Sequence, residues 1–134
     1  MAIEFEFRPF WHPLFGEQYR PYATLQLSCA ERSVWADFLI DSGADVTLIP
    51  YKVGLNLGLN IQLDEPVYTL GGVAMGLPVV YRTIKVQIGV HEISCRVAWA
   101  LSERAPAVLG RLDIFDAFYV EFRQKGRKTV FTKV

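Results

Sequence analysis

The sequence contains few of the residues that carry metal, redox or disulfide chemistry. It has two cysteines and two histidines among 134 residues. Cys29 and Cys95 both fall in strand-like runs, and neither has the close spacing to a second ligand that metal sites show. We therefore expect no metal site and two reduced core cysteines in a cytoplasmic protein. A disulfide between them remains open from the sequence alone.

The chain also lacks an excess of charge of either sign and a long apolar run. Lys plus Arg and Asp plus Glu number 14 each, so the formal net charge is zero. This balance predicts neither a nucleic-acid partner nor attachment to a membrane surface. No apolar run has the length of a transmembrane helix. The opening residues 1–7 are acidic and alternating, so we expect no secretory signal.

What the sequence does contain is alternating apolar and polar residues, with hydrophobic residues making up 51% of the chain. This pattern predicts short strands, separated by turns rich in Gly and Pro, that close into an all-β barrel-like domain. The predicted strands are residues 3–7, 22–29, 34–40, 46–49, 79–88, 92–99, 119–122 and 129–134. A helical turn is expected near residues 51–56 and one short C-terminal helix at residues 112–118. Residues 10–16 are aromatic and broken by Pro and Gly, which predicts a packed loop.

The most informative stretch runs over residues 38–50, where an apolar strand ends in Asp41-Ser42-Gly43-Ala44 and the chain then becomes apolar again. A carboxylate at the end of a buried strand must be hydrogen-bonded or paired, because an isolated buried charge is very costly. Ser42 supplies a hydroxyl, Gly43 permits a sharp turn, and Ala44 leaves room beside the carboxylate. The triplet alone is also compatible with an ordinary turn.

This stretch resembles the active-site loop of the retropepsin-like aspartic proteases, the single-domain relatives of pepsin. Two further elements follow in the order that this family has. Residues 69–76 are rich in glycine, as in the family's mobile flap. Residues 107–111, Ala-Val-Leu-Gly-Arg, resemble the C-terminal element that crosses beside the active-site loop. The resemblance covers residues 22–122, the family core, within a single domain of residues 1–134. An N-terminal strand and aromatic loop (residues 1–21) precede the core, and a C-terminal hairpin strand (residues 123–134) follows it.

The resemblance implies an aspartic endopeptidase that acts on polypeptide substrates without a metal or cofactor. Two carboxylates must share a proton in this chemistry, and the chain has a single Asp-Ser-Gly, so a homodimer is implied. The family pattern makes Asp41, Ser42 and Gly43 catalytic. It assigns substrate binding to Ala44, Asp45, Leu70, Gly71, Gly72, Val73 and Arg111, with Asp45 and Arg111 forming an ion pair.

One departure concerns the ends of the chain. Retroviral members of the family dimerise largely through interleaved terminal strands, whereas the termini here are longer and different. An alternative function is therefore a catalytically silent domain of the same fold that dimerises or binds peptides. A third is a small-ligand β-barrel unrelated to proteases.

Overall fold

The computed structural model describes residues 2–71 and 76–134, and most of them lie in β-strands. The chain order is β1 (Ala2–Glu6), β2 (Arg8–His12), β3 (Gly16–Arg20), β4 (Tyr22–Cys29), β5 (Arg32–Ile40), β6 (Thr47–Ile49), α1 (Tyr51–Asn56), β7 (Tyr68–Leu70), β8 (Leu77–Ile88), β9 (His91–Ala100), β10 (Val108–Leu109), β11 (Phe118–Arg123) and β12 (Lys128–Lys133). In this part of the chain, no helix has the length and apolar character needed to cross a membrane.

The central sheet has the order β4-β5-β10-β6-β9-β8-β7 and closes because β4 also pairs with β8. Six of its strands form a closed barrel, and β7 pairs with the other end of β8. Closure leaves few exposed strand edges, which suits a small all-β domain. The predicted all-β barrel is confirmed, as are the β4–β5 hairpin and the C-terminal hairpin β11–β12.

The barrel interior is filled by apolar side chains from alternate positions of the strands. Trp99 is fully buried, and its ring stacks on Tyr51 of α1 with 5.7 Å between ring centroids. A Cβ on Gly54 would come within 2.0 Å of Trp99 Nε1, so the glycine lets the helix lie directly on the indole. This contact holds α1 against the barrel directly after β6. The predicted helical turn near residues 51–56 is confirmed.

A second, three-stranded sheet has the order β1-β12-β11 and contains both ends of the chain. The C-terminal strand β12 lies in its centre, paired antiparallel with β1 on one edge and with β11 on the other. Phe131 of β12 is fully buried and makes edge contacts with Phe5 and Phe118. The termini of one chain therefore complete a sheet of their own.

Two local predictions are wrong. Residues 8–20 are a regular hairpin, β2–β3, where the sequence predicts an aromatic loop after the first strand. Residues 112–117 form turns where a short helix is predicted. One helical hydrogen bond is present there, from Phe115 N to Arg111 O, but Asp113 has a φ of 68°. A residue in the left-handed region cannot continue a right-handed helix, so the turn ends after one bond.

Candidate active site

Asp41 lies at the point where β5 leaves the barrel. Its backbone N–H donates to Leu109 O at 3.0 Å, which carries the pairing of β5 with β10 one residue beyond the strand. Its Oδ1 accepts the backbone N–H of Gly43 at 2.8 Å, and its carbonyl accepts that of Ala44 at 3.2 Å. Asp41 is half-buried, whereas Ser42 and Gly43 are exposed. The loop thus holds the carboxylate in one orientation while leaving the turn itself accessible.

The segment of residues 110–112 passes beside the active-site loop and fixes it by backbone hydrogen bonds. Arg111 N donates to Ala44 O and Leu112 N to Asp45 O, both at 2.9 Å. Gly110 passes so close that a Cβ there would lie 2.2 Å from Val46 O. No other residue fits without moving the backbone. The family resemblance assigns the same role to this glycine, a close crossing beside the active-site loop.

A buried hydroxyl completes this crossing. Thr47 is fully buried, and its Oγ1 accepts the backbone N–H of Gly110 at 3.0 Å. That N–H would otherwise be a buried donor without a partner, which is costly. From the sequence, Thr47 is predicted only to lie in a strand. The available signal was the single polar residue in the apolar run of residues 46–49.

Asp45 and Arg111 lie close in the chain fold but do not form the predicted ion pair. The described residues contain five ion pairs, and Asp45–Arg111 is not one of them. Both side chains are exposed and border a shallow depression of about 390 Å³ together with Leu112, Phe115 and Asp116. The contact between the two segments is made by backbone hydrogen bonds, so the predicted pairing within one chain is wrong.

The base of the predicted flap faces the active-site loop. Leu70 and Gly71 line a depression of about 140 Å³ together with residues 43–46. Two of the predicted flap residues are therefore brought beside Ala44 and Asp45. The other two, Gly72 and Val73, lie outside the described residues.

A charged clamp that the sequence analysis missed holds the segment leading into β7. Arg82 of β8 makes a two-pronged ion pair with Glu65, and its Nη2 also donates to Asn60 O at 2.6 Å. The hydrogen bonds from Arg82 lower the pKa of Glu65 to about 2, and one from the backbone N–H of Gln62 adds to the effect. The two residues are 17 positions apart, and nothing in the local sequence pattern joins them.

The chemistry available at this site is that of a single oriented carboxylate, two residues before the segment that lines the depression with Leu70 and Gly71. No group of three or more His, Cys, Asp or Glu side chains in residues 2–71 and 76–134 is arranged to hold a metal ion. A carboxylate alone can accept or donate one proton, so a water-activating pair requires a second carboxylate from elsewhere.

Many solved structures are similar to this fold, among them two proteases. A retropepsin-like aspartic protease from Rickettsia conorii aligns over 98% of this chain and 92% of its own, with a TM-score of 0.59 and 15% identity. EIAV protease, complexed with the inhibitor HBY-793, aligns over 75% of this chain and 86% of its own, with a TM-score of 0.51 and 18% identity. No family model matches the sequence, and no curated protein is significantly similar to it.

The fold is therefore that of the retropepsin-like aspartic proteases, and the resemblance stated from the sequence is confirmed at this level. Identities of 15 and 18% show a shared fold alone. Proteins of one fold can differ in activity, so the activity depends on the residues of the site.

Proposed function

We propose that the protein is an aspartic endopeptidase whose active site is built from the Asp41 residues of two copies. The observation that carries the proposal is the position of Asp41. Its carboxylate is held by the Gly43 N–H at the end of a barrel strand, and the flap base lies beside the same loop. A half-buried carboxylate held in one orientation, in the loop whose next residues line the depression beside Leu70 and Gly71, supports a catalytic role for Asp41.

The reaction requires the two carboxylates to lie close enough to share one proton. Two like charges about 3 Å apart cannot both ionise cheaply, so one aspartate is held ionised and the other protonated. The ionised Asp41 accepts a proton from a water, which attacks the peptide carbonyl carbon. The protonated Asp41 of the other copy donates to the carbonyl oxygen. No metal or cofactor is needed for these steps.

The neighbouring residues have supporting roles in the proposal. Ser42 hydrogen-bonds across the dimer and joins the two loops, and the Gly43 carbonyl accepts from substrate backbone. Asp45 and Arg111 border the shallow depression that they share with Leu112, Phe115 and Asp116, and substrate main chain lies along it. Residues 70–73 cover an extended peptide that binds as an added strand. The two cysteines are unpaired, which fits the reducing cytoplasm as the proposed location.

Cleavage of a mixed peptide library tests the function directly. Wild type and Asp41→Asn are incubated with the same library, and the products are identified by mass spectrometry. We expect defined cleavages with wild type and none with Asp41→Asn, whose amide cannot share or transfer the proton. Asp64→Asn, an exposed aspartate in the loop before β7, is the control and should cleave as wild type does.

Equal cleavage by wild type and Asp41→Asn would contradict the proposal. If a folded wild type cleaves nothing, the alternative function stands, a silent dimerisation or peptide-binding domain with the same fold. Matching circular dichroism spectra are required of all three proteins, so that a loss of folding is not mistaken for a loss of chemistry.

A further inference from the structure

The proposed function needs a second copy, and the terminal sheet restricts how that copy can bind. A strand can pair with a neighbour only along an edge whose N–H and C=O groups are free. In β12 both edges are already used, by β1 on one side and β11 on the other. The C-terminal strand cannot interleave between strands of a second copy without first leaving its own sheet. The outer edges of this sheet, on β1 and β11, have no strand partner among the described residues, so a second copy can be held by those edges or by another exposed element.

The β2–β3 hairpin is the element that projects from the body. Its two strands pair only with each other among the described residues. Its tip exposes large apolar side chains: Trp11 is 74% exposed, Leu14 82% and Phe15 72%. Three large apolar side chains exposed within five residues of one hairpin favour an interaction site there.

The tip is ordered rather than loose. His12 Nδ1 accepts the backbone N–H of Leu14 at 3.0 Å and that of Phe15 at 3.2 Å. The imidazole also stacks on the Phe15 ring, with 4.7 Å between centroids. An apolar surface that is already fixed loses little conformational entropy when a partner covers it.

The base of the hairpin is anchored beside the active-site loop. Arg8 forms an ion pair with Asp37 at 3.1 Å, and β3 ends at Arg20, directly before Pro21. Pro21 O accepts the backbone N–H of Ile40, the residue before Asp41. The hairpin therefore starts where β5 ends, at the loop that a second copy must approach.

We propose that the β2–β3 hairpin is the dimerisation arm, whose tip residues Trp11, Leu14 and Phe15 pack on a second copy of this chain. The proposal rests on the proposed function, because it is the half-site at Asp41 that requires a second copy. Five-residue strands give the arm a reach of about 17 Å from base to tip. A balanced charge on the whole chain poses no net repulsion between copies.

Sedimentation velocity over a concentration series tests the arm with a matched pair of variants. Leu14→Asp places a charge in the proposed interface, and Leu63→Asp makes the same change at a leucine that is 93% exposed in the loop between α1 and β7. We expect wild type and Leu63→Asp to share one dimer dissociation constant. Leu14→Asp should raise it at least tenfold, and its specific activity should recover at high protein concentration, since its Asp41 is intact.

The outcomes separate this inference from the proposed function. An unchanged dissociation constant in Leu14→Asp would contradict the role of the hairpin in dimerisation. The proposed function is tested independently, by the loss of cleavage in Asp41→Asn. A wild type that stays monomeric at every concentration overturns the arm as well, and if that monomer cleaves peptides it also overturns the shared active site. Leu14→Asp and wild type should have the same melting temperature and circular dichroism spectrum at concentrations where both are monomeric, which shows that a raised dissociation constant is not a folding defect.

Discussion

At the scale of single residues, two fully buried threonines differ in whether their hydroxyls are used. Thr47 Oγ1 accepts the Gly110 N–H at the crossing beside the active-site loop. Thr129 Oγ1, in β12, has no hydrogen-bond partner among the described residues. Valine has nearly the shape of threonine without the hydroxyl, so the same substitution probes a used and an unused polar group.

We predict opposite effects for Thr47→Val and Thr129→Val. Thr47→Val leaves the Gly110 N–H buried without an acceptor and should lower the free energy of unfolding by about 1–3 kcal/mol. Thr129→Val removes an unsatisfied hydroxyl and should be neutral or slightly stabilising. Urea unfolding of both variants measures the difference. Equal losses of stability would show that the hydrogen bond between Thr47 and Gly110 does not stabilise the folded state.

The two cysteines also differ, although neither is in a disulfide. Burial raises the pKa of the Cys95 thiol to about 12, while Cys29 is half-buried beside the β4–β5 turn. Only the thiolate reacts with alkylating reagents. We predict that iodoacetamide modifies Cys29 in the native protein and Cys95 only after unfolding, as read by peptide mass spectrometry. Equal rates for both thiols in the native protein would contradict the barrel core described here.

At the scale of elements, the clamp between Glu65 and Arg82 fixes the segment that leads into β7. The pKa of Glu65 is lowered to about 2 from an ordinary value of 4.5, so the unfolded chain binds a proton more readily than the folded one. The clamp's contribution to stability is therefore present above pH 4.5 and is lost as the pH falls toward 2.

We predict that Glu65→Gln removes this part of the acid sensitivity. Urea midpoints measured from neutral pH down to acid should fall more steeply for wild type than for Glu65→Gln. Glu31→Gln, at an exposed glutamate in the β4–β5 turn, serves as the control and should follow wild type. Parallel curves for wild type and Glu65→Gln would show that the clamp does not contribute to stability.

The elements also show what the sequence could predict. Strands with one buried face, such as β4 and β9, are evident from alternation, because the period of two follows directly from the pleat. The Asp41 loop and the Gly110 crossing were found because both combine glycine with an apolar strand in a rare pattern. The hairpin at residues 8–20 could not be predicted in this way. Its large apolar residues Trp11, Leu14 and Phe15 are exposed, so apolar positions there do not mark a buried face.

The turn at residues 112–117 and the Glu65–Arg82 clamp could not be predicted for a different physical reason. The turn at residues 112–117 has the composition of a helix, but the backbone of Arg96 and its guanidinium both bind the Asp113 carboxylate. This long-range contact favours the left-handed conformation at Asp113 over a helix. The Glu65–Arg82 clamp is likewise a contact between distant positions. Such tertiary contacts override local preference and leave no signal in a single sequence.

At the scale of the whole molecule, the barrel, the terminal sheet and the hairpin have separate tasks. The barrel places the loop that follows Asp41 beside Leu70 and Gly71 of the predicted flap, and the terminal sheet pairs the N-terminal strand β1 with the C-terminal strand β12. The β2–β3 hairpin, whose strands pair only with each other among the described residues, is the proposed contact with a second copy. In the proposed function, two Asp41 residues, one from each copy, make one active site.

Mixing wild type with Asp41→Asn at constant total protein, after subunit exchange, tests this claim most directly. A dimer that contains one asparagine has lost the shared proton, so only dimers with two wild-type copies are active. At equal amounts of the two proteins we predict about one quarter of the activity of wild type alone, and a dependence on the square of the wild-type fraction. Activity that falls linearly, to about one half, would show that each chain carries a complete site.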